Sequence, residues 1–188
     1  MADYSFFNKW TPYFMDKLRE DFSLSILDAA AIIGNAGHES GGFKSLQEIK
    51  PLVPGSKGGY GIMQWTGPRR RDYEAYCKRN GLNPADMEVN YKFLFVELKG
   101  PEGRILPKLK SAKTLNEKVE IFMKGFLRPG IPHLDSRKIW AQRALDAYNS
   151  KKDTSVPKDQ ESPSTGDSVA KRGILELILE LILKLLRK

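Results

Sequence analysis

The chain has one cysteine, Cys77, in 188 residues. An internal disulfide is excluded, and the fold must hold by packing alone, as suits a reducing compartment. Histidine is nearly as scarce. His38, His133 and Cys77 offer no paired ligand spacing, so no metal site is expected, and a zinc amidase is disfavoured. Nothing implies a cofactor. Cys77 falls mid-helix near Tyr73, Tyr76 and Leu82, which points to packing rather than to a thiol nucleophile paired with His133. The chain also lacks an unbroken apolar run near the roughly 18 residues of a membrane span. Met1-Ala2-Asp3-Tyr4-Ser5 has no basic leader followed by an apolar run, so no signal peptide is expected. There are no internal repeats, and no helix-turn-helix or RNA-recognition pattern, so nucleic acid is not an expected partner.

Acidic residues are in deficit. Lys and Arg number 31 against 23 Asp and Glu, leaving +8. Residues 153–170 sum to −3 and residues 171–188 to +3, so the first 152 residues carry the whole excess. Such a surface suits a polyanionic partner.

What is present is mostly helical signal. Phe6, Phe7, Trp10, Phe14 and Leu18 recur at helical spacing over residues 5–20, with Pro12 as a break or a late start. Ser25 with Asp28 forms a capping box for a helix from Ile26 to His38 that is apolar nearly all round, hence buried. Thr66-Gly67-Pro68 opens a helix that Asn80-Gly81 stops. Asn83-Pro84 leads into another, which ends before Gly100-Pro101. Thr114 with Glu117 caps a helix to about Leu127. A last helix runs from about Asp135 to Tyr148, with Ile139, Trp140, Ala144, Leu145 and Tyr148 facing inward. Residues 44–66, rich in Gly and Pro, predict irregular chain and a small β-hairpin turning at or near Gly58-Gly59.

The chemistry concentrates between Gly34 and Trp65. The buried helix delivers Glu39 to a Gly41-Gly42 break. Desolvation and the helix C-terminus both disfavour negative charge there, which favours a neutral acid. A protonated carboxyl is what glycosidic cleavage needs. Glu48 is the nearest second carboxylate and reads equally as a solvated loop acid; as a base across the sugar ring it would imply inversion. Tyr60, Gln64 and Trp65 offer the amide and aromatic faces that suit sugars, although Trp65 also reads as core. Gly59 and Gly61 allow close backbone approach. His38 reads as a surface or loop-bonding residue. Arg69-Arg70-Arg71 reads as a solvated helix start or an anion site.

Beyond residue 150 the composition changes. Residues 151–170 are polar and Pro/Ser-rich, as in a flexible linker. In residues 171–188 the polar Glu176, Glu180 and Lys184 fall on one narrow stripe of an Ile/Leu-rich helix with basic ends. Residues 173–186 would span about 20 Å, too short to cross a bilayer but suited to its interface. Lys171, Arg172, Leu177, Leu181, Lys184, Arg187 and Lys188 are the expected membrane-binding residues, and anionic lipid or an outer membrane the expected surface.

Residues 30–75 carry Gly-His-Glu-Ser-Gly-Gly-Phe, then Gly-Tyr-Gly-Ile-Met-Gln-Trp-Thr-Gly, then Arg69-Arg70. These motifs resemble the phage-tail-lysozyme and endolysin family of the lysozyme-like superfamily, over about residues 4–150. The resemblance implies a mainly α (α+β) lysozyme-like domain, residues 1–150, with a small β-hairpin, followed by the linker and the amphipathic helix. It places the catalytic acid on Glu39. Gln64 falls on the glycan-binding Gln of a transglycosylase strand. A Glu-x8-Asp-x5-Thr spacing puts the second carboxylate on Glu48, a Glu in place of Asp, and finds Pro54 at the Thr position. The implied function is a peptidoglycan-degrading muramidase, a monomer made in a host cytoplasm and acting on the periplasmic wall. A lytic transglycosylase, or a non-catalytic wall- or lipid-binding virion module, is the alternative.

Overall fold

Helix boundaries follow the capping and breaking residues closely. The computed structural model describes residues 3–48 and 56–150. The predicted linker and the C-terminal helix with its seven membrane-binding residues lie outside the described residues.

Helix α1 is Ser5–Phe22 and α2 is Ile26–Glu39. Pro12 does not interrupt α1: the buried stripe Phe7, Phe14, Met15, Leu18 and Phe22 holds the helix across the missing N–H. The Ser25–Asp28 capping box forms as predicted, with Asp28 N–H donating to Ser25 Oγ at 3.1 Å and Ser25 N–H to Asp28 Oδ2 at 2.9 Å. Asp28 is itself buried, because Lys118 Nζ reaches its Oδ1 at 2.6 Å. Lys118 also donates to Leu109 O at 2.9 Å, so both charges are paired where water is absent.

Helices α3 (Gly67–Asn80) and α4 (Met87–Lys99) follow, α3 ending on Gly81 with φ +61°. A 3-10 turn, Pro101–Ile105, and the short α5, Leu106–Ser111, were not anticipated. Thr114 caps α6 (Leu115–Phe122) through Glu117, and a π turn, Met123–Leu127, completes that helix. Helix α7 is Leu134–Asn149. Its buried stripe is Arg137, Ala141 and Ala144. Ile139, expected inward, is 60% exposed. Two residues past Arg137 is about 200° around the helix, so a stripe set by Arg137 turns Ile139 outward.

Helix α2 is buried from Asp28 to Gly37. Its glycines explain how its neighbours come so close. A Cβ on Gly34 would sit 2.3 Å from Ala141 Cα, so the α2 and α7 backbones almost touch there. A Cβ on Gly37 would strike Phe7 of α1 and Trp140 of α7.

Among the described residues the predicted hairpin shows as two antiparallel bridges, Gln47–Tyr60 and Tyr60–Trp65. The Tyr60–Trp65 bridge turns over Gly61 to Gln64, past the expected Gly58-Gly59. Gly61 has φ +80°, and a Cβ there would meet the Trp65 ring at 2.4 Å and Asn90 Oδ1 at 2.6 Å. The tighter requirement for glycine therefore falls on position 61.

Candidate active site

Glu39 ends α2, where the close approach of α7 decides what it meets. Arg137 NH2 lies 2.8 Å from Glu39 Oε1; the two side chains are 2% and 19% exposed. The seat is thus not the purely apolar one expected from the sequence, because a buried guanidinium is part of it. Arg137 is fixed on its other edges. Its Nε donates to Pro132 O at 2.7 Å and its NH1 to Asn35 Oδ1 at 3.2 Å. Asn35, one turn before Glu39, is anchored by Nδ2 on Ala31 O at 2.9 Å and Val119 O at 3.2 Å. Buried donors and acceptors here meet one another, so the carboxylate has a defined position.

Just past the helix, Ser40 Oγ donates to Ala36 O at 2.7 Å and accepts Phe43 N–H at 3.0 Å. Phe43 is buried with φ +69°, an uncommon backbone for a bulky residue. A Cβ on Gly42 would meet the Trp140 ring at 2.8 Å.

Glu48 lies on the bridged segment. Its N–H donates to Gly59 O at 2.9 Å, and its Oε2 accepts Gly59 N–H at 2.6 Å. Tyr60 is half-buried, with the Arg70 guanidinium 5.2 Å from its ring centroid. Burial raises its phenol pKa above the ordinary value. Gln64 sits in the left-handed region at φ +47°. Its Nε2 is committed to the carbonyls of Leu46 (2.9 Å), Gly61 (3.0 Å) and Ser45 (3.2 Å), so its amide closes the turn.

Trp65 corrects the expectation of a sugar platform. Its side chain is closed off from solvent, packed on Tyr73 and Phe93, with Nε1 donating to Glu97 Oε2 at 2.6 Å. The core role is the one it takes. The arginine run is also more committed than a solvated helix start. Arg69 forks onto Glu97 at 2.7 and 2.9 Å and lies over the Phe126 ring. Arg70 is held by Glu74 and by carbonyls of the glycine segment.

His38 is half-buried rather than on the surface. Its Nδ1 is 2.9 Å from Ser136 Oγ on α7, and its ring centroid is 5.6 Å from that of His133. Burial, then Arg137 and His133, lower its pKa to about 4, so it is neutral at pH 7. Cys77 is buried, and burial pushes its thiol up, away from a thiolate nucleophile. Among the described residues no three His, Cys, Asp or Glu side chains gather as metal ligands.

Three supporting residues went unnoticed in the sequence. Asn35 is the polar break in an apolar helix, four residues before Glu39. Arg137 is a charge on the apolar stripe of α7. Asn90, buried on α4, accepts Ile62 N–H at 3.0 Å and donates to Pro84 O and Asp86 O, which fixes the turn above it. In each case the signal was a polar residue where the pattern asks for an apolar one.

No curated protein matches the chain. The family model described as phage tail lysozyme matches residues 9–148, a span that holds Glu39, Arg137, Glu48 and the glycine segment. The chain therefore belongs to the phage tail lysozyme family, a family of peptidoglycan-lytic phage enzymes.

Proposed function

We propose that the protein is a muramidase that hydrolyses the β-1,4 bond between N-acetylmuramic acid and N-acetylglucosamine, with Glu39 as general acid. The observation that carries this reading is the place of Glu39 at the end of the buried helix α2, oriented by Arg137 and open on one side. Glu39 is held at one oxygen and is still 19% exposed, so the carboxyl is both oriented and reachable. When it gives its proton to the leaving oxygen, negative charge develops on the carboxylate. Arg137 is a fixed cation at that place, and it costs no reorganisation during the step. A glycan laid over the exposed side excludes the remaining water from the site.

Glu48 is the second carboxylate in this reading, activating water or stabilising the oxocarbenium-like charge. Tyr60 lines the sugar, with Gln64 shaping the turn beside it. Trp65 serves from behind as core. Residues 171–188 bring the enzyme to anionic lipid or an outer membrane.

The test is dye release from purified sacculi by wild type and Glu39→Gln, with product masses. General acid catalysis contributes about 10²–10⁴-fold, and the variant should lose activity on that scale while staying folded. Hydrolysis adds one water to each cleaved chain; anhydro-muramic ends would mean a lytic transglycosylase instead. Near-zero release from both proteins would support a non-catalytic wall-binding module.

A further inference from the structure

Arg70 stands in the first turns of α3, its side chain only 12% exposed, and no substrate role is needed to explain its contacts. Its Nε donates to Glu74 Oε1 at 2.9 Å. NH1 donates to Gly58 O at 3.0 Å and to Lys57 O, and NH2 to Gln47 Oε1 at 3.0 Å. Its plane lies near the Tyr60 ring. Gln47 in turn donates from Nε2 to Lys57 O at 2.8 Å, to Glu48 O at 3.0 Å and to Gly59 O at 3.4 Å. The second oxygen of Glu74 holds Lys57 Nζ at 3.2 Å.

The result is a knot joining α3 to both sides of the Gln47–Tyr60 bridge. Glu48 is the neighbour of Gln47 on one side, and its carboxylate rests on Gly59 N–H on the other. Both of these anchors are fixed by Arg70, one through Gln47 and one through Gly58 O.

We propose that Arg70 is a positioning residue of the active site, which sets the Glu48 carboxylate without touching the glycan. This rests on the reading of Glu48 as the second carboxylate. A guanidinium is needed because its N–H groups point in fixed in-plane directions and serve four separate acceptors at once. A lysine ammonium in its place reaches fewer of them from a flexible stem. Gly58 O would then lose its donor, Gln47 would be free to turn, and Gly59 N–H would move relative to Glu48. Displacements of about 1 Å in a reacting group cost up to about 10²-fold in rate.

The experiment measures kcat, KM and Tm on soluble peptidoglycan glycan strands for Arg70→Lys, Gln47→Ala, Glu48→Gln and the double variant Arg70→Lys/Glu48→Gln. The expected result for Arg70→Lys is a kcat loss of roughly ten- to a hundredfold with KM within twofold. Gln47→Ala, which cuts the same link from the other end, should lose kcat in the same direction. In the Glu48→Gln background, Arg70→Lys should add almost no further loss, because the two act as a unit. Three results would overturn the proposal. A raised KM at unchanged kcat would make Arg70 a contact for the wall itself. A kcat loss that only tracks the folded fraction would make it structural. Full additivity of the two substitutions would uncouple it from Glu48. Wild-type kcat in Glu48→Gln alone would instead remove the reading of Glu48, and the proposal with it, while leaving Glu39 standing.

Discussion

Neighbouring side chains at the end of α2 answer to different partners on α7: His38 to Ser136, Glu39 to Arg137. His38 gives the fold an acid sensitivity. Its pKa falls from an ordinary 6.5 to about 4 in the native state, so the unfolded chain binds the extra proton first. Its contribution is fully present above pH 6.5 and is lost as pH falls towards 4, after which it no longer changes. Thermal melts between pH 7 and pH 4.5 should therefore show a steeper fall of Tm for wild type than for His38→Asn. Equal slopes would mean that His38 titrates normally. The carboxylates held down by cations, Glu74 by Arg70 and Glu102 by Arg128, act in the same direction at lower pH. At this scale the sequence put Glu39 at the end of an apolar helix before two glycines, and the structure has it there. It did not show Arg137. That residue reaches Glu39 only because two distant helices touch, and helical periodicity cannot report which helices do. Trp65 reads the same from sequence whether it faces a sugar or a core, since an indole suits both; its place beside Glu97 and Phe93 decided the matter.

Elements were easier to read than contacts. Both capping boxes are local, spanning four residues, and both formed where the sequence put them. The short 3-10 turn and α5 carry too few residues to show a period, and so were missed. The hairpin turn was misplaced because four glycines compete for it between positions 55 and 61, and only the packing of Trp65 and Asn90 against Gly61 selects one. The α2–α7 contact offers the sharpest test. Gly34→Ala would place a methyl 2.3 Å from Ala141 Cα, with backbone on the far side and nothing flexible to yield. Overpacking of this kind costs about 1–3 kcal/mol. Denaturant midpoints should fall accordingly, and activity should fall further than stability, since Arg137 moves with α7. A Gly34→Ala protein with wild-type Cm would mean that the two helices can part without cost.

For the whole molecule, the family match ends at residue 148, one residue before α7 closes. The change to polar, Pro/Ser-rich chain follows from residue 151. The proposed membrane role of residues 171–188 is separable from catalysis. A chain ending at residue 170 should keep wild-type dye release from bare sacculi and lose cosedimentation with anionic liposomes. Undiminished cosedimentation would end that role. The described domain also ties its two ends together. Tyr148 donates to Asp16 Oδ1 at 2.7 Å and accepts from Arg19, while further back α7 gives Ala141 to Gly34 and Arg137 to Glu39. The last helix of the described domain is thus the one that finishes the seat of Glu39, made about a hundred residues earlier in synthesis. A half-translated chain owns the glutamate but not its clamp, so the pair is assembled only as synthesis of the domain ends.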